Sequence, residues 1–218
     1  MHTSLKAQAT TTLADCRDCP RLAGFLDQVK ADNPAYYCKP VLPFGAEHPL
    51  LLIVGLAPGL HGANRSGRPF TGDHAGILLY ETLHRFGFAS RPASVSADDG
   101  LELVGCRITN AVKCLPPANK PETAEIKQCN RHLKAELAGL RPGTAVLALG
   151  SIAHAAVLMA LGLKAKSHAF GHGAVHEPAA GLRLYDSYHC SRYNTQTRRL
   201  TPEMFQAVFA RIVKDFKE

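Results

Sequence analysis

Leu50-Leu51-Leu52-Ile53-Val54-Gly55-Leu56-Ala57-Pro58-Gly59 is the stretch on which the fold turns. Five apolar residues in a row, stopped by glycine, read as a short buried strand rather than a helix. The glycines and the proline behind it make a turn in which backbone amides can come close to an anion or a base. A strand that delivers such a turn at its carboxyl end is the signature of an open α/β sheet, where ligands bind beyond the strand ends.

The same alternation continues outward from this strand. His74–Phe88 is amphipathic, Cys106–Val112 reads as a strand, and Pro121–Leu140 reads as a helix opened by its proline. Thr144–Leu149 is strand-like and Ser151–Leu163 helix-like, with Ser151 as its expected N-cap. Leu182–Tyr188 is a further strand, and Pro202–Phe216 a terminal helix. Strands separated by helices predict an α/β three-layer sandwich with a central, mostly parallel sheet. The region up to about Pro49 has no such pattern and is expected to be an irregular N-terminal arm. The whole chain, 1–218, is read as a single domain, without repeats or low-complexity linkers.

Bulk properties narrow the partners. The chain carries 25 Lys and Arg against 18 Asp and Glu, a formal charge of +7, which suits a polyanion without requiring one. Trp is absent and aromatic residues make up 7%, which argues against a broad stacking surface for single strands. The first twenty residues lack the apolar core and cleavage site of a secretory signal. The apolar run Ala145–Leu163 is interrupted by Gly150, Ser151 and His154, unlike a membrane span. The expectation is a cytoplasmic, monomeric protein with no membrane partner.

Three segments carry candidate chemistry, and each sits at a predicted strand end. The first runs from Gly55 through Ala57 and Gly59 to Gly67-Arg68-Pro69-Phe70-Thr71-Gly72-Asp73. It contains neither Gly-x-Gly-x-x-Gly nor a Gly-Lys-Ser/Thr ending, so dinucleotide and P-loop phosphate sites are disfavoured. Phe70 offers a ring on which a base could stack, or else an anchor for its own loop. Asp73 offers a carboxylate near a reacting sugar, or the N-cap of the helix that follows. The second is Asn110, whose carboxamide presents donor and acceptor together, as reading a base edge requires; the plainer role is to satisfy a turn. The third is His189-Cys190-Ser191-Arg192-Tyr193-Asn194-Thr195, a histidine followed by a polar, cationic loop that could hold phosphates or fill the gap of an extruded nucleotide.

Seven cysteines without an export signal point away from a disulfide framework. Cys16-x-x-Cys19 is on its own ambiguous between zinc, a cluster and redox chemistry. Cys114 and Cys129, fourteen residues intervening, are spaced too openly for a zinc knuckle. The four could converge on one structural metal that ties the arm to the loop after a central strand, leaving Cys38, Cys106 and Cys190 as free thiols.

Taken together, Gly55-Leu56-Ala57-Pro58-Gly59, the Gly-Arg-Pro-Phe-Thr-Gly-Asp string and His189-Cys190-Ser191 resemble the active-site motifs of the uracil-DNA glycosylase superfamily. The resemblance is nearest to its iron–sulfur family 5, which has alanine at the position of Ala57 where other families place an acid or another polar residue. It covers Cys16 to about Thr201 and implies a monofunctional enzyme that flips uracil, and other deaminated bases such as hypoxanthine or xanthine, out of double-stranded DNA and excises them. It further implies Phe70, Gly55, Ala57 and Gly59 as base-binding, Asn110 and His189 as both base-binding and catalytic, and Asp73 as the catalytic carboxylate. Ser191, Arg192, Tyr193 and Asn194 are implied as the DNA-binding loop, and Cys16, Cys19, Cys114 and Cys129 as ligands of a [4Fe-4S] cluster. The competing expectation is a non-catalytic iron–sulfur module that binds nucleic acid or senses redox state, drawn from the basic charge, the spare cysteines and Ala57. A nucleotide hydrolase is disfavoured because no phosphate-gripping lysine follows the glycines.

Overall fold

The structure, a computed structural model, describes residues 13–217; residues 1–12 of the expected arm and residue 218 lie outside the described residues. Six strands form one sheet: β1 (Phe44–Gly45), β2 (Leu51–Gly55), β3 (Cys106–Asn110), β4 (Ala145–Leu149), β5 (Val175–Ala179) and β6 (Leu182–Ser187), in spatial order β1-β3-β2-β4-β6-β5. The four inner strands run parallel, and the two edge strands pair antiparallel. The α/β expectation therefore holds, with antiparallel edges added.

The central strands β2 and β4 are apolar on both faces because both faces are covered, whereas β3 and β6 beside them also carry polar residues. Leu51, Ile53, Ile108, Leu147 and Tyr185 point into one core with α3 (His74–Arg85) and α7 (Pro202–Asp215). Leu52, Val54, Val146, Ala148 and Leu184 point into the other with α4 (Thr123–Ala138) and α5 (Ser151–Ala160). The connection out of β2 leads to β3 on one side, and β4 is laid on the other. The strand order thus reverses beside the carboxyl end of β2, which opens a crevice there.

Three details differ from expectation. The arm is not irregular throughout: α1 (Pro20–Asp32) is a helix with Pro20 at its first turn, burying Leu22, Ala23, Leu26 and Val29. The helix expected from Pro121 begins at Thr123, with Glu122 and Glu125 forming a capping box. Ser151 is the first residue of α5 rather than its cap; Gly150 holds that position at φ 97, where a side chain would be strained. A short helix α2 (Ala63–Ser66) lies in the glycine-rich loop, and α6 (Arg192–Gln196) in the loop after His189.

Candidate active site

Gly55 and Asn110 end neighbouring parallel strands and are register partners. The pairing continues past the strands, Ala111 N–H donating to Gly55 O at 2.9 Å and Val112 N–H to Leu56 O at 2.9 Å, so both loops leave the sheet in step. A Cβ built on Gly55 would lie 2.4 Å from Asn110 Oδ1 and 2.6 Å from the Phe70 ring. Glycine is thus required for Asn110 and Phe70 to meet at this strand end. Asn110 Oδ1 is buried with no hydrogen-bond partner, and an orphaned buried acceptor calls for a donor from outside the chain.

Phe70 takes a left-handed backbone, φ 53, and is held there from several sides. Tyr80 Oη donates to Pro69 O at 2.8 Å, and Gly76 leaves room for Phe70 O, which would stand 1.9 Å from a Cβ at that position. Arg68, buried beneath the loop, donates to Thr71 Oγ1 at 3.0 Å, Ser94 Oγ at 2.8 Å and Asp99 Oδ2 at 2.7 Å, and its guanidinium caps the Phe44 ring. This clamp between Arg68 and the 94–99 segment escaped sequence reading, because nothing local marks a partner 31 residues away. The loop arrives pre-set, at a cost in strain that the surrounding contacts offset.

His189 follows β6 and faces Phe70, their ring centroids 6.0 Å apart. Burial lowers its pKa from 6.5 to about 4, so the ring is neutral at neutral pH and carries one N–H to donate. Its backbone is fixed by Asn194, whose Nδ2 donates to His189 O at 2.8 Å. Ser191 caps α6 through Asn194 N–H at 3.4 Å, and Thr195 Oγ1 lies 3.0 Å from His74 Nε2, joining the two motif loops. Of the four residues expected to meet DNA, Asn194 and Ser191 therefore shape the loop, whereas Arg192 and Tyr193 stand exposed, Tyr193 at 68%. The Ser191-x-x-Asn194 spacing is the N-cap signal that would have predicted the first part.

Asp73 takes the cap with one oxygen and turns the other toward the glycine loop. Oδ1 caps α3 by accepting from Gly76 N–H at 2.8 Å. Oδ2 turns toward the first glycine loop, 2.7 Å from a Cβ built on Gly62 and 3.9 Å from one on Gly59. Burial raises its pKa against the cap and the nearby His74. An open cleft beside it is lined by Arg65, His74, Ile77 and Arg192. Ala57 packs against the apolar group of Leu22, Val112 and Cys129.

Cys16, Cys19, Cys114 and Cys129 line one recess, where the start of α1, the loop after β3 and α4 come together. Burial, then the neighbouring sulfurs, raises the Cys114 thiol to about 12, and burial raises Cys19 and Cys129 as well. Four thiols so placed cannot all ionise without a cationic centre among them. Lys113 N–H points at Cys129 Sγ at 3.3 Å and Arg131 at Cys16 Sγ at 3.6 Å, donors suited to ligating sulfur. Cys38, Cys106 and Cys190 are buried elsewhere as free thiols.

A sequence model of the uracil DNA glycosylase superfamily matches residues 42–213, which spans every site segment except Cys16 and Cys19. Among curated proteins, the chain is 47% identical over 203 residues to the type-5 uracil-DNA glycosylase of Thermus thermophilus, covering 90% of this chain and 92% of that one. It is 44% identical over 207 residues to the type-5 uracil-DNA glycosylase of Pyrobaculum aerophilum, covering 93% and 90%. A type-4 uracil-DNA glycosylase of the latter organism is 36% identical over 132 residues, 60% of this chain and 59% of that one.

Proposed function

Because the chain belongs to the uracil DNA glycosylase superfamily, we propose that it is a DNA-repair glycosylase that hydrolyses the N-glycosidic bond of uracil and leaves the strand intact. The observation that carries this reading is Asn110 Oδ1, buried and unpartnered beside Phe70 and within reach of the His189 loop.

Uracil presents an N3–H donor beside the O4 acceptor, the complement of one carboxamide. Asn110 accepts from N3–H and donates to O4, while Phe70 stacks on the ring. As the bond to the sugar lengthens, negative charge gathers on the base and positive charge on the sugar. Neutral His189 donates its N–H to base O2 and stabilises the leaving anion. Asp73 Oδ2 stabilises the cationic sugar and orients the attacking water, its second oxygen being fixed by the helix cap. Hypoxanthine and xanthine carry the same N–H and carbonyl pair on their reading edge, so the same amide accepts them. The substrate is double-stranded DNA, with Arg192 and Tyr193 meeting the gap left by the flipped nucleotide.

The cysteine recess fits a [4Fe-4S] cluster. Thiolates from three separate segments line it, and N–H groups of Lys113 and Arg131 point at two of the sulfurs, the kind of donor that ligating sulfur takes. When bound, the cluster supplies a four-point cross-link, and Cys16, Cys19, Cys114 and Cys129 hold it. The protein works as a cytoplasmic monomer in this reading; among the described residues no helix is long and apolar enough to cross a membrane.

The test is single-turnover reaction on end-labelled duplexes carrying one uracil or one hypoxanthine, followed by alkali. Alkali-labile product is expected from the wild type, with His189→Ala and Asn110→Ala slowed about 100-fold or more while still folded. Folded, iron-replete protein that binds both duplexes and releases no base would replace this reading with that of a binding module.

A further inference from the structure

Away from the base pocket and the cysteine recess, a third group of polar side chains lies buried between α5 and the β5–β6 hairpin. His154 Nδ1 is 2.7 Å from Asp186 Oδ1, and His154 Nε2 is 2.9 Å from the carbonyl oxygen of His168. A carbonyl only accepts, so Nε2 carries a proton. That leaves the other ring nitrogen facing a carboxylate that is 0% exposed, and two lone pairs cannot face each other there. A cation must stand between them, either a proton or a metal ion. His176 brings a third donor, Nε2 at 3.0 Å from Asp186 Oδ2, and the three ligand atoms all lie within 4.8 Å of one another.

We propose that His154 Nδ1, His176 Nε2 and one oxygen of Asp186 form a second metal site, for a divalent cation of the zinc class, with water as fourth ligand. Two imidazoles and one carboxylate are a donor set that zinc takes in tetrahedral sites. The His154 N–H held by a backbone carbonyl is the outer contact that fixes the tautomer of a ligating imidazole. Binding displaces the proton held between His154 Nδ1 and Asp186 Oδ1, and His176, ligating through Nε2, keeps its proton on Nδ1. Ligands about 2 Å from zinc stand roughly 3.3 Å apart, so Nδ1 and Oδ1 must separate by about half an ångström. His176 can follow, since it lies on an edge strand whose pairing shifts register between His176 and Ala179. The same residue is half-buried and leaves a route for entry. A filled site would pin the 168–176 segment to β6 three residues before His189.

The experiment uses protein with its iron centre intact, freed of loosely held divalent ions by a mild chelator, then titrated with Co²⁺ and with Zn²⁺ against a chromophoric competitor. One equivalent of cobalt is expected, with visible d–d bands, no thiolate-to-cobalt charge transfer, and displacement by zinc. His176→Gln should weaken zinc binding about 100-fold without changing iron content or melting temperature. Nitrogen NMR of the histidine rings gives an independent reading that needs no variant: zinc should move the His154 Nδ1 resonance to that of a metal-bound nitrogen. The proposal is overturned by no stoichiometric uptake, by thiolate charge-transfer bands that place the ion among the cysteines, by uptake indifferent to His176→Gln, or by a His154 Nδ1 resonance unmoved by excess zinc. None of these readings depends on base excision.

Discussion

Asp73 caps α3 with one oxygen and, in the proposed reaction, serves the sugar with the other, and substitution can separate the two. Asparagine caps helices as well as aspartate does, whereas alanine gives up about 1 kcal/mol. Asp73→Asn should therefore keep wild-type stability and lose single-turnover rate, while Asp73→Ala loses both, as read by urea denaturation alongside excision. A fast Asp73→Asn enzyme would reduce the residue to a cap. His189 makes a pH prediction. Its folded pKa is depressed from 6.5 to about 4, so below 6.5 the unfolded chain binds a proton that the native state refuses. Stability is thus lost as pH falls from about 6.5 and the loss levels off near 4. Asp73, raised by burial, acts in the opposite sense, so the informative quantity is the difference between wild type and His189→Leu. The wild type should lose more of its denaturation midpoint across that window, and parallel curves would mean that the ring is solvated.

Between elements, the contact that decides most is Arg68 with Asp99. Against burial that would raise it, Arg68 and the amides of Leu101, Val95 and Ser96 hold the Asp99 carboxyl well below the usual carboxylate range. Arg68→Met strands that carboxylate and should cost about 3–5 kcal/mol in denaturation, with part regained by adding Asp99→Asn. An effect below about 1 kcal/mol would show the clamp to be replaceable by solvent. This clamp also marks the limit of what could be read from sequence. Strands β2 and β4 were legible because both their faces are buried, so each appears as an unbroken apolar run. Strands β3 and β6 mix apolar with polar residues and were legible from the alternation of Cys106 with Ile108 and of Leu182 with Leu184. Phe70, Asn110 and His189 stood out as candidates because each lies in the loop after such a strand or at its carboxyl end. Helix α1 carried its own signal in Leu22, Ala23, Leu26 and Val29, but its position between Cys16, Cys19 and the later prolines hid it. Edge strand β5, with Pro178 inside and alternating exposure, has no core to betray it. The trio His154, His176 and Asp186 exists only once α5 and the hairpin have docked.

At the scale of the molecule, the arm meets the rest of the chain at the cysteine recess, in apolar contacts that include Ala57, Leu60 and Leu115, and through the ion pairs Arg21–Glu125 and Asp18–Arg131. Helix α1 buries only four side chains, so it depends on that joint. If the proposed cluster centres that joint, removing it should open Arg17, Arg21 and Lys30 to trypsin well before the sheet domain is cut, measurable by limited proteolysis with mass spectrometry. Unchanged protection would mean that the apolar contacts and ion pairs hold the helix without it. The sheet domain has its own point of no tolerance at Gly55, where a Cβ would collide with both Asn110 and Phe70. Every glycine codon begins with two guanines, so cytosines stand opposite them in the gene. Deamination of the first, left in place through replication, writes serine or arginine at this position; deamination of the second writes aspartate or glutamate. A cell that fails once to clear uracil from this codon inherits an enzyme that cannot clear it anywhere, and the lesion becomes heritable through loss of its own remedy.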